Sequence, residues 1–174
     1  QTVLDLCAAP GGKTALIAEK INNRGLITAL DRNETRLNLL RDNCSRLGIT
    51  CVKIGKTDDR PLTKVNFDCV LADVPCSNTG VMRRRLDLRW RLAHRELSLL
   101  DNEQLKLLCR AANYTIPEGR LVYSTCSIEP DENEWLIKRF INENTEWQLI
   151  NEHTLHPLES RTDGAYAALL TRRT

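Results

Sequence analysis

Residues 3–14 read VLDLCAAPGGKT, and this stretch decides the fold. A short apolar run ends in a turn of small residues, and a helical pattern of apolar residues follows at once. A strand, a tight loop and a helix N-terminus in this order are typical of the site where an α/β domain holds an anionic or nucleotide-like ligand. Gly12-Lys13-Thr14 also matches the end of a phosphate-binding P-loop, but Cys7 stands where that motif requires its first glycine. The stretch therefore predicts a phosphate loop or an adenosine-cofactor loop.

Strand patterns alternate with helical patterns along the rest of the chain. This alternation predicts an α/β fold with a parallel, doubly wound sheet, helices on both faces, and ligands at the carboxyl ends of the strands. After the first strand we predict strands at residues 26–31, 49–54, 67–72, 121–125, 147–150 and 166–170. Helices are predicted to begin near residues 12, 33, 93 and 130.

The composition is that of an ordinary globular protein, with 41% hydrophobic and 28% charged residues and a net charge of +2. No apolar run is long enough for a membrane span, and no secretory signal pattern opens the chain. The seven cysteines form no Cys-x-x-Cys pair and have no metal-ligand spacing with the three histidines. We therefore expect free thiols, no metal and a reducing, cytoplasmic compartment. Gln1 leads straight into a core strand, so we expect residues 1–174 to be one domain of a longer protein.

Reactive and polar residues follow the predicted strands at the points where the strands end. They are Pro10-Gly11-Gly12, Asp31, Asp58, Asp73-Val74-Pro75-Cys76 and Thr125-Cys126-Ser127. Because the carboxyl ends of parallel strands meet at one edge of a sheet, we expect a single site there. Asp31 comes about twenty residues after the glycine turn, where a carboxylate can bind the ribose hydroxyls of an adenosine cofactor. Cys76 and Cys126 are either small buried residues or nucleophiles in an electropositive setting.

Arginines are concentrated after Cys76, around Trp90. They are Arg83, Arg84, Arg85, Arg89 and Arg91. A charge run alone is usually a solvated face. Beside a chemical motif, however, this run predicts a segment that binds phosphate groups, such as those of a nucleic acid. Trp90 can either stack on a base or anchor the core, and the sequence leaves both alternatives open.

Three motifs together resemble the Sun/Fmu family of RNA (cytosine-5) methyltransferases. They are DLCAAPGGKT at residues 5–14, DVPCS at 73–77, and STCS at 124–127 followed by Pro130 and Glu132-Asn133-Glu134. The resemblance continues to Asp163-Gly164 and implies a Rossmann-like methyltransferase fold with a seven-stranded, mostly parallel sheet whose last strand is antiparallel. It implies S-adenosylmethionine (AdoMet) as the cofactor. It also implies a cytosine of RNA as the substrate, with 16S ribosomal RNA expected and a single-stranded or looped context. Asn78, Leu86 and Ala165 depart from the family pattern.

The resemblance also implies roles for individual residues. Cofactor binding is expected from Cys7, Ala8, Ala9, Pro10, Gly11, Gly12, Lys13, Asp31, Asp58 and Asp73. Cys126 matches the nucleophile that adds to C6 of the base, Cys76 matches the cysteine that assists product release, and Asp73 faces the reacting centre. DNA cytosine-5 methyltransferases instead attack with the cysteine of a Pro-Cys motif, which here is Cys76. Three alternatives predict different chemistry for the same loops. They are an exocyclic-amine methyltransferase, a P-loop hydrolase and a catalytically silent RNA-binding module.

Overall fold

The computed structural model describes residues 1–57, 66–91 and 94–173. Within these ranges there are seven strands and six α-helices. The strands are β1 (Thr2–Asp5), β2 (Leu26–Asp31), β3 (Val52–Lys56), β4 (Phe67–Asp73), β5 (Thr115–Thr125), β6 (Trp147–Leu155) and β7 (Ala165–Arg172). The helices are α1 (Gly12–Lys20), α2 (Glu34–Arg46), α3 (Leu88–Arg91), α4 (His94–Tyr114), α5 (Glu134–Glu143) and α6 (Pro157–Ser160).

The seven strands form one sheet in the order β3-β2-β1-β4-β5-β7-β6. The first five strands are parallel to one another, whereas β7 runs antiparallel between β5 and β6. The direction of chain progression reverses between β1 and β4, and in open α/β sheets a ligand crevice lies at such a switch point. The predicted seven-stranded, mostly parallel sheet with an antiparallel last strand is confirmed.

Helices cover both faces of the sheet, as predicted, because adjacent residues of each buried strand point in opposite directions. On one face, Val3 of β1 and Ile27 of β2 pack with Ala18 of α1. Leu37 of α2 belongs to a neighbouring cluster that also packs on β2. Leu4, one position after Val3, belongs to the large core on the other face, to which α4 and α5 contribute. Because helices cover both faces of the sheet, a site can form in the loops that follow the carboxyl ends of the strands.

Two strands are longer than predicted. The pairing of β5 with β4 passes from Phe67–Thr115 to Cys69–Arg120, so the residues between Thr115 and Arg120, which include Pro117, bulge out of the ladder. Proline and glycine in that bulge look like a strand boundary in the sequence. The second half of β6 lies at the sheet edge with exposed polar side chains, so it lacks the apolar alternation that predicts a strand.

Two other elements differ in position or type. β3 begins at Val52 and ends at Lys56, two to three residues later than predicted. The predicted helix start at Pro130 is a single 3-10 turn, and α5 begins at Glu134. No helix among the described residues is long and apolar enough to cross a bilayer. In the same part of the chain, no group of three His, Cys, Asp or Glu side chains is arranged to hold a metal ion.

Candidate active site

The loop between β1 and α1 is held by backbone contacts that require its small residues. The Ala8 N–H donates to the Leu30 carbonyl at 2.8 Å. Gly11 caps α1 in a left-handed conformation with φ 106°. A Cβ atom on Gly11 would lie 2.4 Å from Cδ1 of Leu40, so α2 packs directly on this turn. Glycine at this position therefore allows both the turn and the close approach of α2.

Asp31 ends β2 and is 5% exposed. Its carboxylate accepts hydrogen bonds from the Ala9 N–H at 3.2 Å and the Asn33 N–H at 2.9 Å. Arg36 of α2 lies 3.7 Å from the same carboxylate and also bonds to the Ala9 carbonyl oxygen. The contacts tie the predicted ribose-binding carboxylate to the predicted cofactor loop. Arg36 was not predicted as a site residue. A cation in the first turn of a helix interacts unfavourably with the helix dipole, so its presence there indicates a role other than stabilising the helix.

A cavity of about 560 Å³ opens at the switch point, and its size lies in the range of small-molecule and cofactor sites. The predicted residues that line it are Cys7, Ala9, Pro10, Lys13, Asp31, Asp73, Cys76, Arg85 and Cys126. Ala8 and Gly11 are buried in the loop and do not line the cavity, and Gly12 instead borders a groove on the α1 side. Asp58 lies outside the described residues. The structure thus brings most of the predicted site together.

Asp73 connects the two halves of the cavity. The Lys13 ammonium of α1 donates to its Oδ2 atom at 2.7 Å, and the Ser124 hydroxyl of β5 donates to its Oδ1 atom at 2.7 Å. The carboxylate is therefore fixed at the end of β4 between the predicted cofactor loop and the cysteine loops. The side chain of Lys13 thus forms an ion pair with a carboxylate of the site.

The sulfur atoms of Cys76 and Cys126 are 3.1 Å apart, although the residues are 50 positions apart in sequence. The Cys126 N–H donates to the Cys76 sulfur at 3.3 Å. Behind the cysteines, the Gly80 N–H donates to the Cys126 carbonyl at 3.0 Å, and the Gly80 carbonyl accepts from the Gly164 N–H at 2.7 Å. Parallel pairing of β4 and β5 thus delivers two thiols to one point, and backbone bonds between three loops hold them there.

The three cysteines at the cavity differ in acidity. The pKa of Cys126 is lowered, mainly because the Cys76 thiol donates a hydrogen bond to its sulfur, with a smaller contribution from the Lys13 ammonium. The same hydrogen bond, together with burial, raises the pKa of Cys76. Burial raises the pKa of Cys7 to about 12. Of these three thiols, Cys126 is the one that ionises most readily and is the stronger candidate for a nucleophile.

A buried carboxylate fixes the Pro-Cys-Ser loop. In the sequence this residue stands out only as part of a motif. Glu132 is 1% exposed and accepts hydrogen bonds from the Ser77 N–H at 2.8 Å, from the Ser77 hydroxyl, and from Nε2 of Gln104 at 2.8 Å. Gln104 also donates to the Pro75 carbonyl at 2.9 Å. The Tyr123 hydroxyl donates to the Glu132 carbonyl at 2.7 Å. These contacts hold the residues on both sides of Cys76.

The arginine segment is only partly free to bind phosphates. Arg83 and Arg84 both pair with Asp163, at 2.5 and 2.9 Å. Arg85 lines the cavity. Trp90 is 90% exposed, so of its two alternative roles the core anchor is wrong. The side chains of Arg89 and Arg91 lie outside the part of the chain that the structure describes.

Comparison with known proteins identifies the family. The sequence model described as 16S rRNA methyltransferase RsmB/F matches residues 1–171. The chain belongs to this family. Family membership confirms the resemblance drawn from the three motifs and leaves the P-loop alternative without support.

Individual members of the family and its structures agree with this assignment. The chain is 42% identical over 85% of its length to a probable ribosomal RNA small subunit methyltransferase B of Synechocystis sp., and covers 34% of that protein. It is 35% identical over 99% of its length to ribosomal RNA small subunit methyltransferase B of Vibrio cholerae, and covers 42% of it. The chain thus spans about two fifths of the length of these relatives. The structure of NSun6 from Pyrococcus horikoshii with SFG superposes with a TM-score of 0.90 at 29% identity, covering 98% of this chain and 47% of that one.

Proposed function

We propose that residues 1–174 form the catalytic domain of an enzyme that transfers a methyl group from AdoMet to C5 of a cytosine in ribosomal RNA. Cys126 is the nucleophile that forms a transient covalent bond to C6 of the base. One observation carries this proposal: Cys76 and Cys126 meet at 3.1 Å beside the cavity, with their pKa values shifted in opposite directions. A thiol that attacks the base has to ionise readily, whereas a thiol that assists release has to keep its proton, so the two roles require different pKa values.

The residues around the cavity fit AdoMet. Asp31 supplies a nearly buried carboxylate for the ribose hydroxyls, next to the loop that ends at α1. The first-turn N–H groups of α1 have no acceptor within the helix, so they suit the carboxylate of a methionine moiety. The NSun6 structure, in the same family fold, was solved with SFG, an AdoMet analogue. When bound, AdoMet supplies a sulfonium-activated methyl group, so no metal is needed to activate it.

Cytosine C5 is a poor nucleophile, and Cys126 overcomes this by forming a sulfur–carbon bond at C6. The electron pair of the C5–C6 double bond then becomes available at C5 for attack on the methyl group, with Asp73 positioned to bind the base. Loss of the C5 proton to a base leaves the C5–H bonding pair to restore the C5–C6 double bond, and the C6–S bond breaks to release the Cys126 thiolate. Cys76, whose pKa is raised, remains a thiol 3.1 Å away and donates its hydrogen bond to the departing sulfur. Stabilising the leaving thiolate speeds product release.

RNA reaches this cavity along the face that carries the arginine segment. Trp90 and Leu86 expose 90% and 62% of their surfaces there, and a flipped or unstacked base can pack on an exposed indole. The target cytosine has to leave its stack, which costs a few kcal/mol and costs least in a loop. Arg85 at the cavity contributes positive charge for the flanking phosphates, and Arg83 and Arg84, which share the single carboxylate of Asp163, add to it.

The experiment that tests the proposal is adduct trapping with single-cysteine variants. Wild type, Cys76→Ala, Cys126→Ala and the control Cys109→Ala, a free thiol of α4, are incubated with AdoMet and transcribed 16S ribosomal RNA. Denaturing gels report covalent protein–RNA complexes, and tritium transfer reports methylation. We expect Cys76→Ala to accumulate the adduct, Cys126→Ala to form none, and Cys109→Ala to match wild type.

Three results would contradict this assignment. Adduct in Cys126→Ala but not in Cys76→Ala would reverse the roles of the two cysteines. Methylation of an exocyclic amine would identify a different reaction at the same cavity. Calorimetric binding of AdoMet and RNA without any methyl transfer by wild type would favour the silent RNA-binding module.

A further inference from the structure

Asn78 touches both cysteines, and none of the roles described above involves it. Its Oδ1 atom lies 3.0 Å from the Cys126 sulfur, and its Nδ2 atom donates to the Cys76 carbonyl at 2.8 Å. The residue sits in the left-handed region with φ 61° and ψ 23°, immediately before the 3-10 turn of Thr79–Val81. Asn78 also lines the cavity with Cys7 and Asp73. Its amide thus contacts the Cys126 sulfur and the backbone of Cys76 at the same time.

The orientation of the Asn78 amide follows from its two partners. The Cys76 carbonyl can only accept a hydrogen bond, so the amide NH2 group has to face it. The carbonyl oxygen of the amide then faces the Cys126 sulfur and can only accept. Consequently the Cys126 thiol is the donor in that contact, and the Cys76 thiol is the donor in the 3.1 Å contact between the sulfurs. The three groups form a directed chain from Cys76 through Cys126 to Asn78.

We propose that Asn78 is a positioning residue that holds Cys126 as an aimed, neutral thiol until the base is bound. An amide oxygen at 3.0 Å stabilises the thiol, because it accepts a hydrogen bond from the S–H group, and opposes the thiolate, because two electron-rich atoms then face each other. Cys76 has the opposite effect, since its S–H bond stabilises the thiolate. The nucleophile therefore lies between one neighbour that favours ionisation and one that restrains it. This inference rests on the proposed role of Cys126 as the nucleophile.

The other groups that face Cys126 come from two further elements. Asp73 at the end of β4 opposes the thiolate, and Lys13 of α1 favours it. These two side chains form an ion pair with each other at 2.7 Å. Arg85 lines the same cavity. Replacing Asn78 leaves these three side chains unchanged, so a change in Cys126 acidity in an Asn78 variant reports the two contacts of the amide, to the Cys126 sulfur and to the Cys76 carbonyl.

The test measures the pH dependence of Cys126 alkylation by iodoacetamide, resolved by peptide mass spectrometry, in the full chain without RNA or AdoMet. Asn78→Gly removes the amide and keeps the left-handed backbone at no steric cost. Asn78→Asp keeps the size and replaces the amide by a carboxylate. Asn22→Gly, at another left-handed position with φ 53° far from the cysteines, is the matched control.

We expect the alkylation midpoint of Cys126 to fall by about half a pH unit to one unit in Asn78→Gly, the equivalent of one lost hydrogen bond. Below the midpoint, this is roughly a 3- to 10-fold faster reaction. In Asn78→Asp the midpoint rises, and in Asn22→Gly it stays at the wild-type value. An unchanged or raised midpoint in Asn78→Gly would overturn the inference. Because alkylation does not require methyl transfer, failure of the adduct experiment would overturn the proposed function without changing this result.

Discussion

Replacing Glu132 by alanine tests whether a buried carboxylate holds the Pro-Cys-Ser loop. Glu132 is 1% exposed, and its carboxylate accepts hydrogen bonds from Ser77 and from Gln104. The Ser77 hydroxyl has other partners, since it lies 3.1 Å from the Ser127 hydroxyl. The Ser77 N–H and one N–H of Gln104 would lose their acceptor in Glu132→Ala. The variant therefore buries two unsatisfied donors next to Cys76.

The size of the effect follows from those two donors. Each buried donor without a partner costs about 1–3 kcal/mol, and relief of the buried charge offsets part of the total, so we expect a loss of about 3 kcal/mol. For a domain of this length that corresponds to a Tm lowered by roughly 6–12 °C. Glu132→Gln keeps an oxygen for Ser77 and Gln104, and its amide NH2 can donate to the Ser77 hydroxyl. We expect it to lose only about 1 kcal/mol, as hydrogen bonds to a charged acceptor become neutral ones.

The assay combines thermal unfolding with tritiated-methyl transfer to RNA. Asp131→Ala, at the exposed neighbouring position, is the control and should match wild type. At a temperature where all variants are folded, Glu132→Ala should transfer methyl groups to RNA more slowly, because Cys76 and Cys126 are no longer held together for attack and release, and Glu132→Gln should restore most of the rate. The reasoning is refuted if Glu132→Ala unfolds at the wild-type temperature, or if Glu132→Gln is as damaged as Glu132→Ala.

Three further substitutions test other parts of the structure. Burial raises the pKa of Asp5 from 3.8 to about 6. Between pH 3.8 and about pH 6 the folded state therefore binds more protons than the unfolded state, and wild type loses stability as the pH rises through this range. Urea titrations should show Asp5→Asn more stable than wild type above about pH 6, by on the order of 3 kcal/mol, with the difference gone below about pH 4; a difference that is independent of pH would contradict this. Trp90→Ala should weaken RNA binding about tenfold in a filter-binding assay with an unchanged Tm, whereas the exposed Leu158→Ala should change neither; equal loss in both variants would point to a general surface effect. Gly80→Ala should lower the Tm, because its Cβ atom would lie 2.4 Å from the Gly164 carbonyl oxygen, and a wild-type Tm would show that the loops can separate freely.

The sheet and the location of the site were predictable because both depend on local patterns. Apolar runs that end in Asp31, in Asp73 and in Thr125 mark strand ends, and parallel pairing brings strand ends to one edge whatever lies between them. The glycine turn before α1 is likewise a local signal. The sequence therefore predicts which residues share the cavity.

The contacts that tune the site were not predictable, because they join residues that are far apart in sequence. Glu132 follows Pro130 and Asp131 in an acidic stretch, which in a sequence looks like the solvated first turn of a helix. The structure instead buries Glu132 against a loop 55 positions earlier. The side chain of Asn78 is similar: the sequence marks it as a turn residue, whereas its distance to a sulfur 48 positions later depends on the packing of two loops.

Packing and acidity are linked at this site through short contacts. Lys13 favours the Cys126 thiolate and Asp73 opposes it, so the two members of this ion pair shift the acidity of Cys126 in opposite directions. The largest influence is the hydrogen bond from Cys76, which depends on a sulfur–sulfur distance of 3.1 Å. That distance is set by the loop that Glu132 holds, so a change at Glu132 should alter both the free energy of unfolding and the alkylation midpoint of Cys126. A loss of stability with an unchanged midpoint would show that the two loops keep their spacing without the buried carboxylate.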